Sequence, residues 1–298
     1  MCRYRKESFV SGWQCDLSMH LTVLVENTTM TDRYFRGEPA LSFFIQDDEA
    51  SILFDCGYSD LFIQNACAME IDLLNVDNVI LSHGHIDHTG GLPSLAAYHV
   101  RSAIEKRSRT WPTFITHPET FRRKKGKEEV DVGCPVSPQY LSGFGDVRTS
   151  TVPVRVTDRI WFLGEIPRPH PDRIAQSSAF VETTKGWVPD PVIEDSCLVY
   201  TSDEGLVLIC GCTHAGIEHT VAYARHICGE ERISAVIGGL HLHSATPKRI
   251  ADVADWCARS GIKRIYPCHC TGLKATIALS QYHEIIPVGV GSHVVWGN

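Results

Sequence analysis

The chain of 298 residues lacks what several classes of protein require. No apolar run approaches the roughly 20 residues of a membrane helix, so a spanning protein is not expected. Behind Met1-Cys2-Arg3-Tyr4-Arg5-Lys6-Glu7 there is positive charge but no apolar stretch, so a secretory leader is not expected either. The 12 cysteines include no Cys-x-x-Cys pair, which removes the zinc-finger reading. The chain is also far longer than a small disulfide-stapled framework. Positive charge is not in excess. The net charge is −7 with histidine neutral, so no global field draws in nucleic acid. With 43% hydrophobic and 21% charged residues, disorder, collagen and coiled coil are excluded for the whole chain. No short-period repeat is visible. The expectation is a reduced, cytoplasmic protein with no membrane partner.

What is present is order at both ends of the chain and irregularity between. Residues 1–19 read as a polar extension without a sustained period. Leu21–Val25, Leu41–Ile45, Ser51–Asp55 and Val76–Leu81 read as buried strands, with Ser59 placed to cap a helix reaching Ala68. Residues 94–107 suit a helix. From 108 to 190 proline and glycine interrupt often, and the stretch reads as a loop-rich insertion with a few strands such as 159–163. Order returns with a hairpin over 197–210. Ile217, Val221, Ala224 and Ile227 then keep a helical period that Gly229 ends. A strand over 233–237, a helix opened by Pro247, a strand over 262–266 and a helix over 273–279 complete a sheet covered by helices.

The strongest chemical signal is His83-Gly84-His85-Ile86-Asp87-His88, directly after a buried strand. Residues two apart in extended backbone point the same way, so His83 and His85 can grip one ion. Gly84 allows the tight turn that aims them. Neutral imidazoles with a carboxylate suit zinc first, and manganese or iron as well.

This motif resembles the signature of the metallo-β-lactamase superfamily. The resemblance implies an α/β fold, a four-layer αββα sandwich of two similar halves with one or two metals at the sheet edges. It extends to Leu24-Val25-Glu26-Asn27-Thr28, Leu53-Phe54-Asp55-Cys56-Gly57, Gly164-Glu165-Ile166-Pro167-Arg168, Gly211-Cys212-Thr213-His214-Ala215-Gly216-Ile217, Gly238-Gly239-Leu240-His241-Leu242 and Cys268-His269-Cys270-Thr271-Gly272, in that order. Together these are similar to the dihydropteroate-synthase-like subgroup, whose archaeal members are named for making a dihydropterin–ribofuranosylaminobenzene phosphate. The likeness covers about 20–298, a single domain with the insertion near 108–190, and leaves residues 1–19 outside it.

By this resemblance two divalent ions are expected. His83 and His85 would help hold the first, Asp87 and His88 the second, and Asp55 would brace the loop. His269 matches the superfamily's final histidine. Before the hairpin stands Asp195 where a histidine is usual, so a carboxylate can substitute there. After the hairpin stand Cys212 and His214; His214 is the preferred ligand, and Cys212 is either a ligand or a buried thiol. His241 is a missing ligand, a substrate-facing acid/base or a satisfied buried histidine. Arg168 binds an anionic group or makes a loop ion pair. The basic run 122–127 holds a phosphorylated substrate or is a solvated face.

These residues lead to a metal-dependent enzyme whose activated water hydrolyses an ester- or phosphoester-like small molecule, with Asp87 and His241 as catalytic groups. One alternative is a transferase joining a dihydropterin methyl pyrophosphate to an aminobenzene ribofuranosyl phosphate. From another class, the alternative is a non-catalytic ligand-binding module, whose mark would be lost ligands. The partner is a small molecule, phosphorylated or pterin-like, and not nucleic acid. The sequence leaves the oligomeric state open.

Overall fold

The computed structural model describes residues 18–175 and 177–297. The expected extension therefore lies outside the described residues up to position 17. In chain order the elements are β1 (Met19–Val25), β2 (Ser42–Gln46), β3 (Ser51–Phe54), α1 (Leu61–Ala68), β4 (Asn78–Ile80), α2 (Ile86–Thr89), α3 (Leu92–Ile104), β5 (Thr113–Thr116), β6 (Lys124–Lys125), α4 (Pro138–Leu141), β7 (Asp146–Thr149), β8 (Val154–Arg155) and β9 (Ile160–Phe162). They continue with β10 (Phe180–Thr183), β11 (Gly186–Pro189), β12 (Cys197–Ser202), β13 (Gly205–Cys210), α5 (Ile217–Cys228), β14 (Ile233–Gly238), α6 (Pro247–Arg259), β15 (Arg264–Pro267), α7 (Leu273–Leu279), β16 (Glu284–Ile285) and β17 (His293–Trp296).

Two seven-stranded sheets face one another. The first runs β17-β1-β2-β3-β4-β5-β7, and the second β16-β15-β14-β13-β12-β9-β8. Each is antiparallel over four strands and parallel over the rest, with the parallel part beginning at β3–β4 in one and β13–β14 in the other. Alternation along single strands explains the layers. Leu21 and Val23 face the core between the sheets, with Tyr200, Val207 and Ile209 opposite. Leu24 and Val25 turn outward to pack beneath Phe62 and Leu95 of α1 and α3. Val199, Leu206 and Leu208 turn outward beneath Val221 of α5 and Val253 of α6. The architecture is therefore the expected αββα sandwich.

Local signals place the element ends. Ser59 Oγ accepts from the Leu61 N–H at 3.1 Å, just ahead of α1. Thr246 caps α6, with Pro247 as its first residue. Gly229 closes α5 in the left-handed conformation. The stretch 108–190 is divided. β5 and β7 complete the first sheet, β8 and β9 the second, and only β6, β10 and β11 stand apart as a third, three-stranded sheet. β9 lies within the expected strand 159–163; sequence periodicity could not assign the others because each is two to four residues long. Among the described residues no helix is long and apolar enough to cross a membrane.

Candidate metal centre

The candidate ligands all follow the carboxyl ends of parallel strands, where loops from both sheets meet. Asp55 follows β3, His83 follows β4, Cys212 follows β13, His241 follows β14 and His269 follows β15. Asp55 anchors the first loop. Its Oδ1 accepts from the Ser82 N–H and its Oδ2 from the Ser82 hydroxyl, each at 2.7 Å. Oδ2 also lies 2.7 Å from His88 Nδ1. The Ser82 proton is thus committed to Asp55, so His83 Nδ1, 2.9 Å from Ser82 Oγ, must donate. One carboxylate thereby orients two imidazoles through their Nδ1 atoms and leaves both Nε2 atoms facing the other donors. Gly84 is required here, since a Cβ would come 2.3 Å from the Thr120 carbonyl oxygen.

The donors converge in overlapping sets. His83, His85 and His214 form one and Asp87, His88 and His269 another. Cys212 joins His83 with His88, and His214 with His241. His88 Nε2 lies 3.2 Å from both Cys212 Sγ and His269 Nε2. Asp87 Oδ2 lies 3.7 Å from His88 Nε2 and 3.4 Å from His269 Nε2. The His241 ring lies tilted by 44° against that of His214, with ring centroids 4.2 Å apart.

The electrostatics are those of a site built around positive charge. Burial, then the neighbouring imidazoles, hold His83 and His214 well below the usual histidine range. Burial also opposes charge on His88, but the carboxylates of Asp87 and Asp55 outweigh it and raise the group to about 9. For Asp87 burial works upward, yet His88 and His269 keep the carboxyl well below its ordinary range. Both ring nitrogens of His214 are buried with no hydrogen-bond partner among the described residues. Such orphaned nitrogens, beside sulfur and carboxylate, fit a tetrahedral zinc-type ion better than a packed core.

Two expected residues stand elsewhere. Asp195 is outside the converging sets; it is fully buried, and its Oδ2 accepts the Ala215 N–H at 2.8 Å, so it shapes the His214 loop. Arg168 is held by backbone. Its guanidinium donates to the carbonyls of Pro191 and Val192, each at 2.5 Å. Cys270 keeps a bracing position: its sulfur accepts the His241 N–H at 3.3 Å and reaches the Cys212 carbonyl at 3.7 Å.

Four supporting residues were not singled out from the sequence. Buried Glu26 accepts the His269 N–H at 2.7 Å, and Asn27 Oδ1 lies 3.2 Å from His269 Nδ1. Lys124, only 1% exposed, reaches Asp190 at 2.7 Å and Glu194 at 2.8 Å. Asp190 in turn lies 3.6 Å from His85 Nε2. The Glu26-Asn27 pair sat within a recognised motif without a role. Lys124 was hidden inside a basic run.

Comparison with known proteins agrees with this geometry. The family model of the metallo-β-lactamase superfamily matches residues 36–269. The chain is 28% identical over 280 residues to the 7,8-dihydropterin-6-methyl-4-(β-D-ribofuranosyl)-aminobenzene-5'-phosphate synthase of Methanocaldococcus jannaschii, covering 87% of this chain and 89% of that protein. It is 26% identical to an uncharacterized protein of the same archaeon, covering 91% and 98%. Among solved structures, Tm1679, a metal-dependent hydrolase of the β-lactamase superfamily, superposes with a TM-score of 0.77 at 25% identity, covering 93% of this chain and 98% of that one. With two matching seven-stranded sheets, donors at their shared edge and a family match across most of its length, the chain belongs to the metallo-β-lactamase superfamily.

Proposed function

We infer that the chain is a metal-dependent enzyme that cleaves an ester- or phosphoester-like bond in a small molecule. The observation that carries this reading is the pair of donor sets, His83-His85-His214 and Asp87-His88-His269, with Cys212 between them. These residues would hold two divalent ions, zinc foremost because a thiol lies among the donors. When bound, such ions polarise a carbonyl or phosphoryl oxygen and make water acidic enough to act near neutral pH.

The chain's own groups supply the rest. Asp55 orients His88 directly and His83 through Ser82. Asp87 is partly open to the cavity above the donors, and its ionised carboxylate can accept a hydrogen bond from a nucleophile and orient it. His241 lines the same cavity and is placed to give a proton to a leaving group. The ten described cysteines are all free, which suits a reducing cytoplasm.

The likeness to the archaeal synthase favours a second reading. In that case the substrates are a dihydropterin methyl pyrophosphate and an aminobenzene ribofuranosyl phosphate, and an aryl amine replaces water as nucleophile. A non-catalytic module is disfavoured because the whole first motif is retained.

The test is metal content by mass spectrometry on protein purified without a chelating column or added metal. About two equivalents are expected. Screens of phosphoesters, thioesters and lactones against the pterin transfer then separate hydrolase from transferase. No metal as purified, and none taken up when offered, would sink both.

A further inference from the structure

The basic stretch 122–127 resolves residue by residue. Arg122 pairs with Glu119 at 2.8 Å and Arg123 with Glu182 at 3.4 Å. Lys125 pairs with Glu129, and Lys124 with Asp190 and Glu194. Of these basic residues only Lys127 makes no ion pair among the described residues, and it faces a cavity.

That cavity has two lobes. One, of about 450 Å³, opens over His85, Asp87, His214 and His241. The other, of about 480 Å³, runs along Ile174, Phe180, Ile217, Leu240 and Leu242. Lys127, Ser177, Ser178, Ala179, His241 and Ser244 line both, so the single uncommitted ammonium stands at their junction, together with three serines. Other charges confine an anion there. Arg249, on the wall of the second lobe, is spent on Glu218 at 2.5 Å. Asp172 in the second lobe and Glu128 in the first would repel an anion placed beside them. Each lobe has the size of a small-molecule site, and in the second Ile174, Phe180, Ile217, Leu240 and Leu242 offer an apolar strip that can hold a ring.

We propose that Lys127 binds an anionic group, phosphate or carboxylate, of a substrate whose apolar or aromatic body fills the second lobe while its reacting group lies in the first. The proposal rests on the donor cluster being the reacting end, and makes Lys127 a residue of substrate recognition.

The test uses the full chain as purified, wild type, Lys127→Ala and Lys127→Arg, in calorimetric titrations. The probes are phenyl phosphate, phenylacetate, benzyl alcohol and inorganic phosphate. Lys127→Ala should weaken phenyl phosphate or phenylacetate about tenfold, Lys127→Arg should restore most of it, and benzyl alcohol should not change. Loss confined to phenyl phosphate identifies a phosphate site; loss of both identifies a site for either anion. Wild-type protein should bind phenyl phosphate at least about tenfold more tightly than inorganic phosphate, from burial of the ring. Anion binding unaltered in Lys127→Ala, equal binding of phenyl and inorganic phosphate, or no binding of any probe overturns the proposal. Lys127-dependent binding without turnover in any screen would leave this proposal standing and remove the hydrolase reading. Turnover with an unchanged KM in Lys127→Ala would do the reverse.

Discussion

Asp55 carries more of the site than any ligand, because one buried carboxylate orients two imidazoles. Four residues around the donors, Asp55, Thr213, His241 and His269, adopt positive φ between 49° and 57°. Each such residue costs on the order of 1–3 kcal/mol, so the surrounding contacts must over-determine these loops. His83→Ala and His269→Ala should each lose metal and at least about a hundredfold in activity while near-ultraviolet dichroism stays native; full activity in either removes the assignment. In His241→Ala, lost metal would mark a ligand, and retained metal with slow turnover an acid/base. Asp195 gives a separate prediction. Burial, only partly offset by Arg168, raises its carboxyl to about 6. A raised folded-state value means stability that is full below the unfolded value and lost as pH rises through the folded one. Asp195→Asn should therefore gain on wild type as pH rises from about 4 to about 6, by on the order of 2–3 kcal/mol, and then hold level. A gap in denaturation midpoints that does not move with pH would refute this. The proposed ligands were legible because four of them lie within six residues. Glu26 was not, because its role depends on a backbone N–H that is 243 positions away.

At the scale of elements, the small third sheet was the least readable part of the chain and proves to support the site. β6 places Lys124 beneath the His83–His88 loop, where it neutralises Asp190 and Glu194. Burial raises the Asp190 carboxyl, but His85 and Lys124 outweigh it and bring the group to about 2. Lys124→Met leaves two buried carboxylates without a cation. It should cost about 3–5 kcal/mol in urea denaturation; a loss below about 1 kcal/mol would show that the network is not stabilising. In sequence Lys124 is one member of a basic run, and only the pairing of β6 with β10 turns it inward while Arg122 and Arg123 stay exposed and Lys125 is half-buried. Long elements behaved differently. β12, β13 and α5 were readable because alternation and helical period persist over 6 to 12 residues.

For the whole molecule, the sheets hold the core and their common edge holds the donors, so metal binding and folding should be coupled. A chelator should lower the melting temperature of the purified protein, and zinc restored in excess should raise it again. Binding at about 100 times the dissociation constant adds about 2.7 kcal/mol. An unchanged melting temperature on removal of bound metal would show that the donors are held rigidly without it. By itself the sequence made the ligand loop, the strand that precedes it and a sheet covered by helices legible, because those depend on neighbours along the chain and on hydrophobic period, while the αββα sandwich was implied by the resemblance of the motifs to the metallo-β-lactamase superfamily. Only the tertiary structure decided that Asp195 and Arg168 build loops, that Cys212 stands among the donors, and that Lys127 is the uncommitted cation of its run. The physical reason is the same in each case: what a charged or thiol side chain does is set by which partners lie within reach, and those partners come from other segments of the chain.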